Sequence, residues 1–354
     1  MKQMKQMKQM NYLAEIERLN RLSEIGDPLE RVTQIINWEL FRPLIEETFR
    51  HESKGPGGRP PIDRVMMFKI VMLQQWYHIA DDMTEYVIND RLSFQRFLGL
   101  ALDDKVPDAK TIWAFKERLK DSGADLELFD LFTSLMEDKG IITRTGSIVD
   151  ASFVDVPRQR NKRAENKTIK EGGVPDEWQT AENKAKLSQK DINARWMKKN
   201  DELHYGYKDH IKMDKDSKMI VCFTVSSANV HDSQHLHELL DDKDEVIYGD
   251  SAYTGDELFA DAKTDYPELE LRIHEKGYKN APLTDAQKES NRVKSIARAR
   301  VEHVFGHITK SMGGMSIRSI GIDRAIREIA MKNLAYNLQR FAFLVKTSKV
   351  VPSM

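Results

Sequence analysis

Near Thr145 the hydrophobic period of the chain changes, and that change constrains the fold more than any bulk property does. Before it, apolar residues recur at three- and four-residue spacing in "LAEIERLNRL", "DPLERVTQIINWELFRPLIEETF", "PIDRVMMFKIVMLQQWYHI" and "DAKTIWAFKERLKD", the pattern of amphipathic helices. Asp27-Pro28 and Asp108-Ala109 read as helix starts, and "KGPGGRPP" at Lys54–Pro61 as a loop ending in a helix-initiating proline pair. After it come "GSIVDASFVDV", "HYGYKDHIKMD", "MIVCFTVSSAN", "EVIYGDSAY" and "LELRIHEK", short runs rich in Val, Ile, Tyr and Phe that read as strands. Helical "DSQHLHELLDD" and "TGDELFADAKT" separate the later strands, and Asp285–Met312 reads as one long helix. The expected order is three strands, helix, strand, helix, strand, helix. That is a meander followed by crossovers, an α/β core behind an all-helical region.

A chain of 354 residues accommodates this as two domains. The expected division is a low-complexity tail at 1–10, a helical domain at 11–140 and an α/β domain at 141–345. The tail, "MKQMKQMKQM", is a three-residue repeat without an apolar core, so it is no secretory signal. It reads as a frayed helix or a misassigned start, with Met10 as the first residue. The single cysteine, Cys222, excludes a disulfide framework and a cysteine zinc site, and it suits a reducing, cytoplasmic setting. No membrane span is expected, because Lys69, Gln74 and Gln75 interrupt the most apolar helix. A net charge of −1 selects no partner, but Arg158–Asn200 carries 12 Lys/Arg against 6 Asp/Glu. That stretch reads either as a solvated, partly disordered loop or as an electrostatic footprint for phosphates.

Two of the strand-like runs stop at an aspartate followed by small residues, Asp150 before Ala151-Ser152 and Asp250 before Ser251-Ala252. Carboxylates at adjacent strand ends would share a crevice at the sheet edge and repel each other unless a cation lay between them. A hard divalent ion suits such a pair, and Glu302 in "ARARVEHVFGHITK" is the best third carboxylate, unless Arg298 or Arg300 neutralises it. The plainer alternative is that each aspartate only starts a turn. The small neighbours, with Gly249, would let a bulky substrate approach.

These pieces, in order, resemble a DDE transposase of a bacterial insertion sequence, in the IS-five/IS-four-like group. "GSIVDASFVDVPRQRN", "HYGYKDHIKMDKDSKMI", "VSSANVHDSQHLHELL", "VIYGDSAYTG" and "RARVEHVFGHI" carry the resemblance in the α/β region. "GRPPIDRVMMFKIVMLQQWYHIADDMTEYVINDRLSFQRFLGL" and "VPDAKTIWAFKERL" carry it upstream, so it covers most of Arg59–Phe343. The resemblance implies an RNase H-like catalytic core with a mixed five-stranded sheet, behind a helical DNA-binding or dimerisation domain. It implies that Asp150, Asp250 and Glu302 are metal ligands for two Mg²⁺ (or Mn²⁺) ions, and that the chain cleaves DNA at terminal inverted repeats and transfers it into target DNA. The partners implied are DNA and a second copy, at least a homodimer, in the cytoplasm at the nucleoid. The family's helical signature of Tyr, Arg, Glu and Lys is met only in part. Arg298, Arg300 and Lys310 are the expected DNA contacts on this helix, although Ser295 stands at the tyrosine position and Lys310 lies one residue past its place, where Thr309 stands. Two other readings stay open: a catalytically lapsed, repressor-like protein that occupies the element's ends, and an RNase H-like nuclease without strand transfer.

The remaining candidates are weaker. His303 and His307 have the spacing of zinc ligands, but Val304 stands where that motif needs Glu. Tyr205 and Tyr207 read as alternation on a half-buried strand, and Lys208 and His210 on the same strand as linings of a DNA channel. Asp232 reads as a helix cap. Trp76, Tyr77, Trp113 and Phe115 read as core. "DDMTEYVINDRLSFQRFLG" with "DAKTIWAFKERL" suggests a helix-turn-helix presenting Lys110, Lys116 and Arg118 to DNA, or a dimer contact.

Overall fold

The computed structural model describes residues 2–50, 62–254 and 256–347, so the loop expected at 54–61 lies outside the described residues. Two compact units emerge: Met1–Leu128 with Ala335–Met354, and Phe129–Leu334. The break falls inside a helix rather than near residue 140, because Phe129 already packs edge-on against Phe223 of the second unit, with ring centroids 5.2 Å apart.

The first unit is helical: α1 (Lys2–Ile25), α2 (Pro28–Ile35), α3 (Arg42–Thr48), α4 (Arg64–Tyr77), α5 (Asp81–Asp90), α6 (Leu92–Leu98), α7 (Ala109–Ser122) and the start of α8 (Ala124–Asp138). Asp27 and Asp108 cap α2 and α7 as expected, accepting from Leu29 N at 2.9 Å and Thr111 N at 2.7 Å. Trp38 centres the core, meeting Phe97 at 5.4 Å, Phe68 at 5.9 Å and Trp76 at 6.3 Å. The Trp76 indole donates to the Ala335 carbonyl at 2.8 Å. Phe115 is core too, but Trp113 is 53% exposed and Tyr77 39%. On α7 the buried stripe runs Ile112, Phe115, Leu119, which turns Trp113 to the outside.

The expected helix-turn-helix is not built. One residue, Arg91, joins α5 to α6, and residues 99–108 separate α6 from α7, whereas the motif needs a turn of roughly 3–4 residues. Lys116 pairs with Asp81 of α5 at 2.6 Å, so it fastens two helices together. Arg118 is exposed and donates to the Thr48 carbonyl at 3.2 Å; Lys110 is exposed.

The second unit holds β1 (Ser147–Asp155), β2 (Arg195–Lys199), β3 (Glu202–Asp214), β4 (Ile220–Ser227), β5 (Val246–Gly249) and β6 (Glu270–Ile273). They form one mixed sheet in the order β2-β3-β1-β5-β6, with β4 also on β3. β3 runs antiparallel to both β1 and β4, and β5 and β6 run parallel to β1. This is the expected five-stranded arrangement plus one strand, β2, which the basic stretch supplies as a hairpin arm on β3. Around the sheet lie α12 (Leu236–Leu239), α13 (Asp256–Asp265), α14 (Asp285–Ser311) and the first half of α15 (Ile322–Lys346), with α9 (Arg163–Lys170), α10 (Asp176–Gln179) and α11 (Lys184–Leu187) inserted between β1 and β2. No helix among the described residues is long and apolar enough to cross a membrane.

β3 is buried along both faces from Tyr205 to Asp214, so it is a central strand rather than a half-buried one. One face carries Val154, Tyr205, Tyr207 and Val225 against Ile317, Ala325 and Ile329. The other carries Val149 with Leu236, Leu239, Ile247 and Tyr253. Gly206 makes the β1–β3 pairing possible: at φ +151°, a Cβ there would lie 2.1 Å from the Val154 carbonyl oxygen. Gly249 is covered by side chains and is not an opening for substrate. It is buried, and a Cβ on it would meet Ile273 Cδ1 at 2.8 Å.

The basic stretch is folded, which corrects its reading as a partly disordered loop. Trp178 is fully buried at its centre, and its indole donates to Glu165 at 2.9 Å. Burial alone would raise the Glu165 carboxyl, but the Lys162 N–H, the Lys186 ammonium and the Trp178 indole hold it down at about 2. Lys186 and Lys190 stack over the Trp178 ring at 5.2 and 5.6 Å. Asp191 accepts from Tyr207 Oη at 2.6 Å and from Ala194 N at 2.9 Å, tying the insertion to β3. Trp178→Ala should destabilise this insertion by about 3–5 kcal/mol. The expected readout is rapid proteolysis within Arg158–Asn200 while sheet amides stay protected from exchange; a wild-type cleavage pattern would refute the assigned centre.

Candidate functional site: a carboxylate pair on adjacent parallel strands

The β1–β5 ladder pairs Ser147 with Ile247 and Ile148 with Tyr248, and each strand reaches its aspartate two residues later. Asp150 and Asp250, 100 positions apart in sequence, therefore stand at matching register on neighbouring strands. Asp150 lies inside β1 rather than at its end, since β1 continues to Asp155 on its other edge against β3. Asp250 follows β5 and caps a short 3₁₀ turn, Ser251–Tyr253, accepting from the Ser251 N–H and, at 3.1 Å, from its hydroxyl.

α14 packs over β1 and β5 and brings Arg298 to both carboxylates. Nη2 lies 3.3 Å from Asp150 Oδ2 and 3.5 Å from Asp250 Oδ2. Burial pushes the Asp150 carboxyl above its usual value, with Arg298 opposing. For Asp250 burial acts in the same direction, but Arg298 and the Ser251 donors outweigh it and the net shift is downward. The pair thus behaves as two like charges held together by one cation.

Glu302 is exposed, one helical turn past Arg298, and makes no hydrogen bond or ion pair among the described residues. Neither neighbouring arginine neutralises it. Arg298 serves the aspartates, while Arg300 turns away to Asp216 Oδ1 and the Lys215 carbonyl, both at 2.8 Å. No three His, Cys, Asp or Glu side chains gather into a metal-holding group among the described residues. The donor set at the pair itself does suit a hard cation: two carboxylates, both oxygens within reach of a single positive nitrogen. Lys310 is exposed in the last turn of α14.

Lys208 and His210 do not line this side of the sheet. Asp150 pairs with Ile211, whereas Ala151 and Phe153 pair with His210 and Lys208, so strand alternation puts those two on the opposite face. Both are buried. Lys208 binds Asp232 at 2.6 Å and the Val230 carbonyl at 2.7 Å. His210 meets Ser226 Oγ at 2.8 Å, and burial with the adjacent His235 lowers it to about 4. Asp232 is accordingly an ion-pair partner; His231 caps the turn instead.

Two neighbours of the pair escaped the sequence reading. His274, just after β6, donates its backbone N–H to the Gly249 carbonyl at 3.2 Å, and its ring stands 3.3 Å from Ser295 Oγ. Burial and Arg298 hold its imidazole below the usual value. Asp209, on the same sheet face as Asp150, is fully buried with Asn333 Nδ2 at 3.2 Å. The only available signal was a polar residue following a strand-like run, or interrupting one.

A sheet of this order, with acidic side chains meeting where two parallel strands run side by side, defines an RNase H-like α/β protein. A family model described as "Transposase DDE domain" matches residues 142–338, and one described as "Transposase domain (DUF772)" matches residues 17–118. The chain belongs to the DDE transposase family. Among solved structures it is similar to a piggyBac transposase synaptic complex with hairpin DNA, at 11% identity and TM-score 0.45, over 93% of this chain and 77% of that one. It is also similar to a Mos1 strand transfer complex, at 10% identity and TM-score 0.21, over 86% and 84%. Both likenesses are loose, and membership rests on the sequence match.

Burial raises the Asp209 carboxyl to about 7, with Asn333 opposing. A folded value above the unfolded one, about 3.9, penalises the native state as the group ionises. Asp209→Asn should therefore be the more stable protein above neutral pH, by about 2–4 kcal/mol. The difference in Tm should open between about pH 4 and 7 and vanish at lower pH. A gap independent of pH would show that charge is not its cause.

Proposed function

We propose that this transposase cleaves DNA at the ends of its element and transfers them into target DNA, using Asp150, Asp250 and Glu302 as the acidic set. The observation that carries the reading is the meeting of Asp150 and Asp250 on one cationic nitrogen. DDE transposases are generally divalent-metal dependent, and these three carboxylates would hold Mg²⁺ or Mn²⁺, two ions per site. When bound, such ions activate a water or a DNA 3′-hydroxyl and stabilise the leaving oxygen. The chain's own residues do the rest. Asp150 and Asp250 fix where the scissile phosphate is held, and β1 and β5 keep them in register. Arg298 and Lys310 contact backbone phosphates from α14. Exposed Arg160, Lys162, Arg163, Lys167 and Lys170 make the insertion a second phosphate-binding surface, and Lys110 and Arg118 a third on the helical unit. Two ends must be joined in one event, which calls for at least a dimer on DNA. Membership of the IS-five/IS-four-like group belongs to the same reading.

The exposed position of Glu302, with Ser295 and the displaced Lys310, favours one second reading: a protein that occupies element ends without cutting them. Labelled DNA bearing the element's ends, incubated with Mg²⁺ or Mn²⁺, separates the two. Nicking and joining should occur with wild type and fall at least about a hundredfold in Asp250→Asn, while DNA binding persists. Specific binding without cleavage under either metal would establish the second reading, and nicking without joining would leave a nuclease.

A further inference from the structure

Arg298 reaches both aspartates with one nitrogen, so its guanidinium occupies the point that a cation shared by the two carboxylates would take. We propose that Arg298 is an internal counter-ion that competes with a divalent cation for Asp150 and Asp250, and that it must withdraw before the metal is held. This rests on the metal-site reading above. Three features make the guanidinium displaceable rather than fixed. Its contacts, 3.3 and 3.5 Å, are longer than the roughly 2.7–2.9 Å of a well-formed charge-assisted bond. It offers no bidentate fork to either carboxylate, the arrangement in which arginine binds most strongly. Its Nε is buried with no hydrogen-bond partner, so the bridging pose leaves one of its donors unsatisfied.

The surroundings allow the movement. The buried residues of α14 are Val301, Val304 and Ile308, all beyond Arg298, so the helix stays anchored when that side chain swings. The side chain is 25% exposed, which gives it a route to solvent or to a DNA phosphate. Arg300 offers the contrast: two 2.8 Å bonds tie it to the β3–β4 turn. Exchanging one positive charge for two between the aspartates improves their neutralisation, and the bridging arginine keeps them from repelling each other until then.

The test is calorimetric titration of the full-length, DNA-free protein with Mn²⁺ alone at neutral pH. Arg298→Gln should bind Mn²⁺ roughly fivefold more tightly than wild type, the order expected for removing one partly exposed competing charge. Arg298→Lys, which keeps the charge, should stay near wild type. Arg298→Met retains the aliphatic stem and substitutes for the glutamine variant should that one fold poorly. Merely structural damage would weaken the metal, so the direction of change is diagnostic. Unchanged or weaker binding in Arg298→Gln overturns the proposal, as does equal tightening in the lysine variant. Adding Asp150→Asn to Arg298→Gln should abolish the binding. If it does while Arg298→Gln alone gains nothing, competition is wrong and the metal site stands. If Mn²⁺ binds the double variant undiminished, the site reading falls and the competition with it.

Discussion

Repulsion between Asp150 and Asp250 is the constraint around which the second unit is arranged. Parallel pairing of β1 and β5 forces the two carboxylates to neighbouring positions, and burial makes it costly for Asp150 to ionise. A cation must offset this, and α14, packed over β1 and β5, delivers one. The opposite face of the same sheet holds its charges differently. There Lys208 and Lys212 each meet one aspartate, at 2.6 and 2.5 Å, in closed pairs. Closed pairs fix structure, whereas a shared, poorly satisfied cation leaves two acidic groups ready for exchange.

β3 is what lets the two faces differ. It is paired on both edges and buried on both sides, so its alternation sorts Lys208, His210 and Lys212 to one face and Tyr207, Asp209 and Ile211 to the other. Gly206 sets where that alternation begins, because only a residue without Cβ passes the Val154 carbonyl there. The insertion then extends β3 through β2 and is locked by Asp191 against Tyr207. A stretch rich in lysine and arginine can fold here because a few charges are consumed inside it, around Trp178 and Glu165.

Much of this was legible in the sequence where the signal is local. Helix starts at Asp27 and Asp108, the long helix from Asp285 and the order of the strands follow from caps and periodicity. The pairing of Asp150 with Asp250 was legible through the repeated pattern of an apolar run stopped by aspartate. Facing was not. Alternation shows that Lys208 and His210 share a side, but only the register with β1 shows that it is the wrong side for Asp150. Trp178 and Glu165 lie 13 residues apart in a polar stretch, and no periodicity announces a tertiary contact of that kind. Gly249 looked like an opening for substrate because its tight contact with Ile273 is equally non-local.

The central claim is that Asp150 and Asp250 converge on one cation position which Arg298 fills in the absence of metal. Anomalous diffraction from crystals of the full chain soaked in Mn²⁺ tests it most directly. A manganese peak is expected between the two carboxylates, with the Arg298 guanidinium moved out of contact with both. A peak elsewhere, or none, with Arg298 still bridging the aspartates, would contradict it.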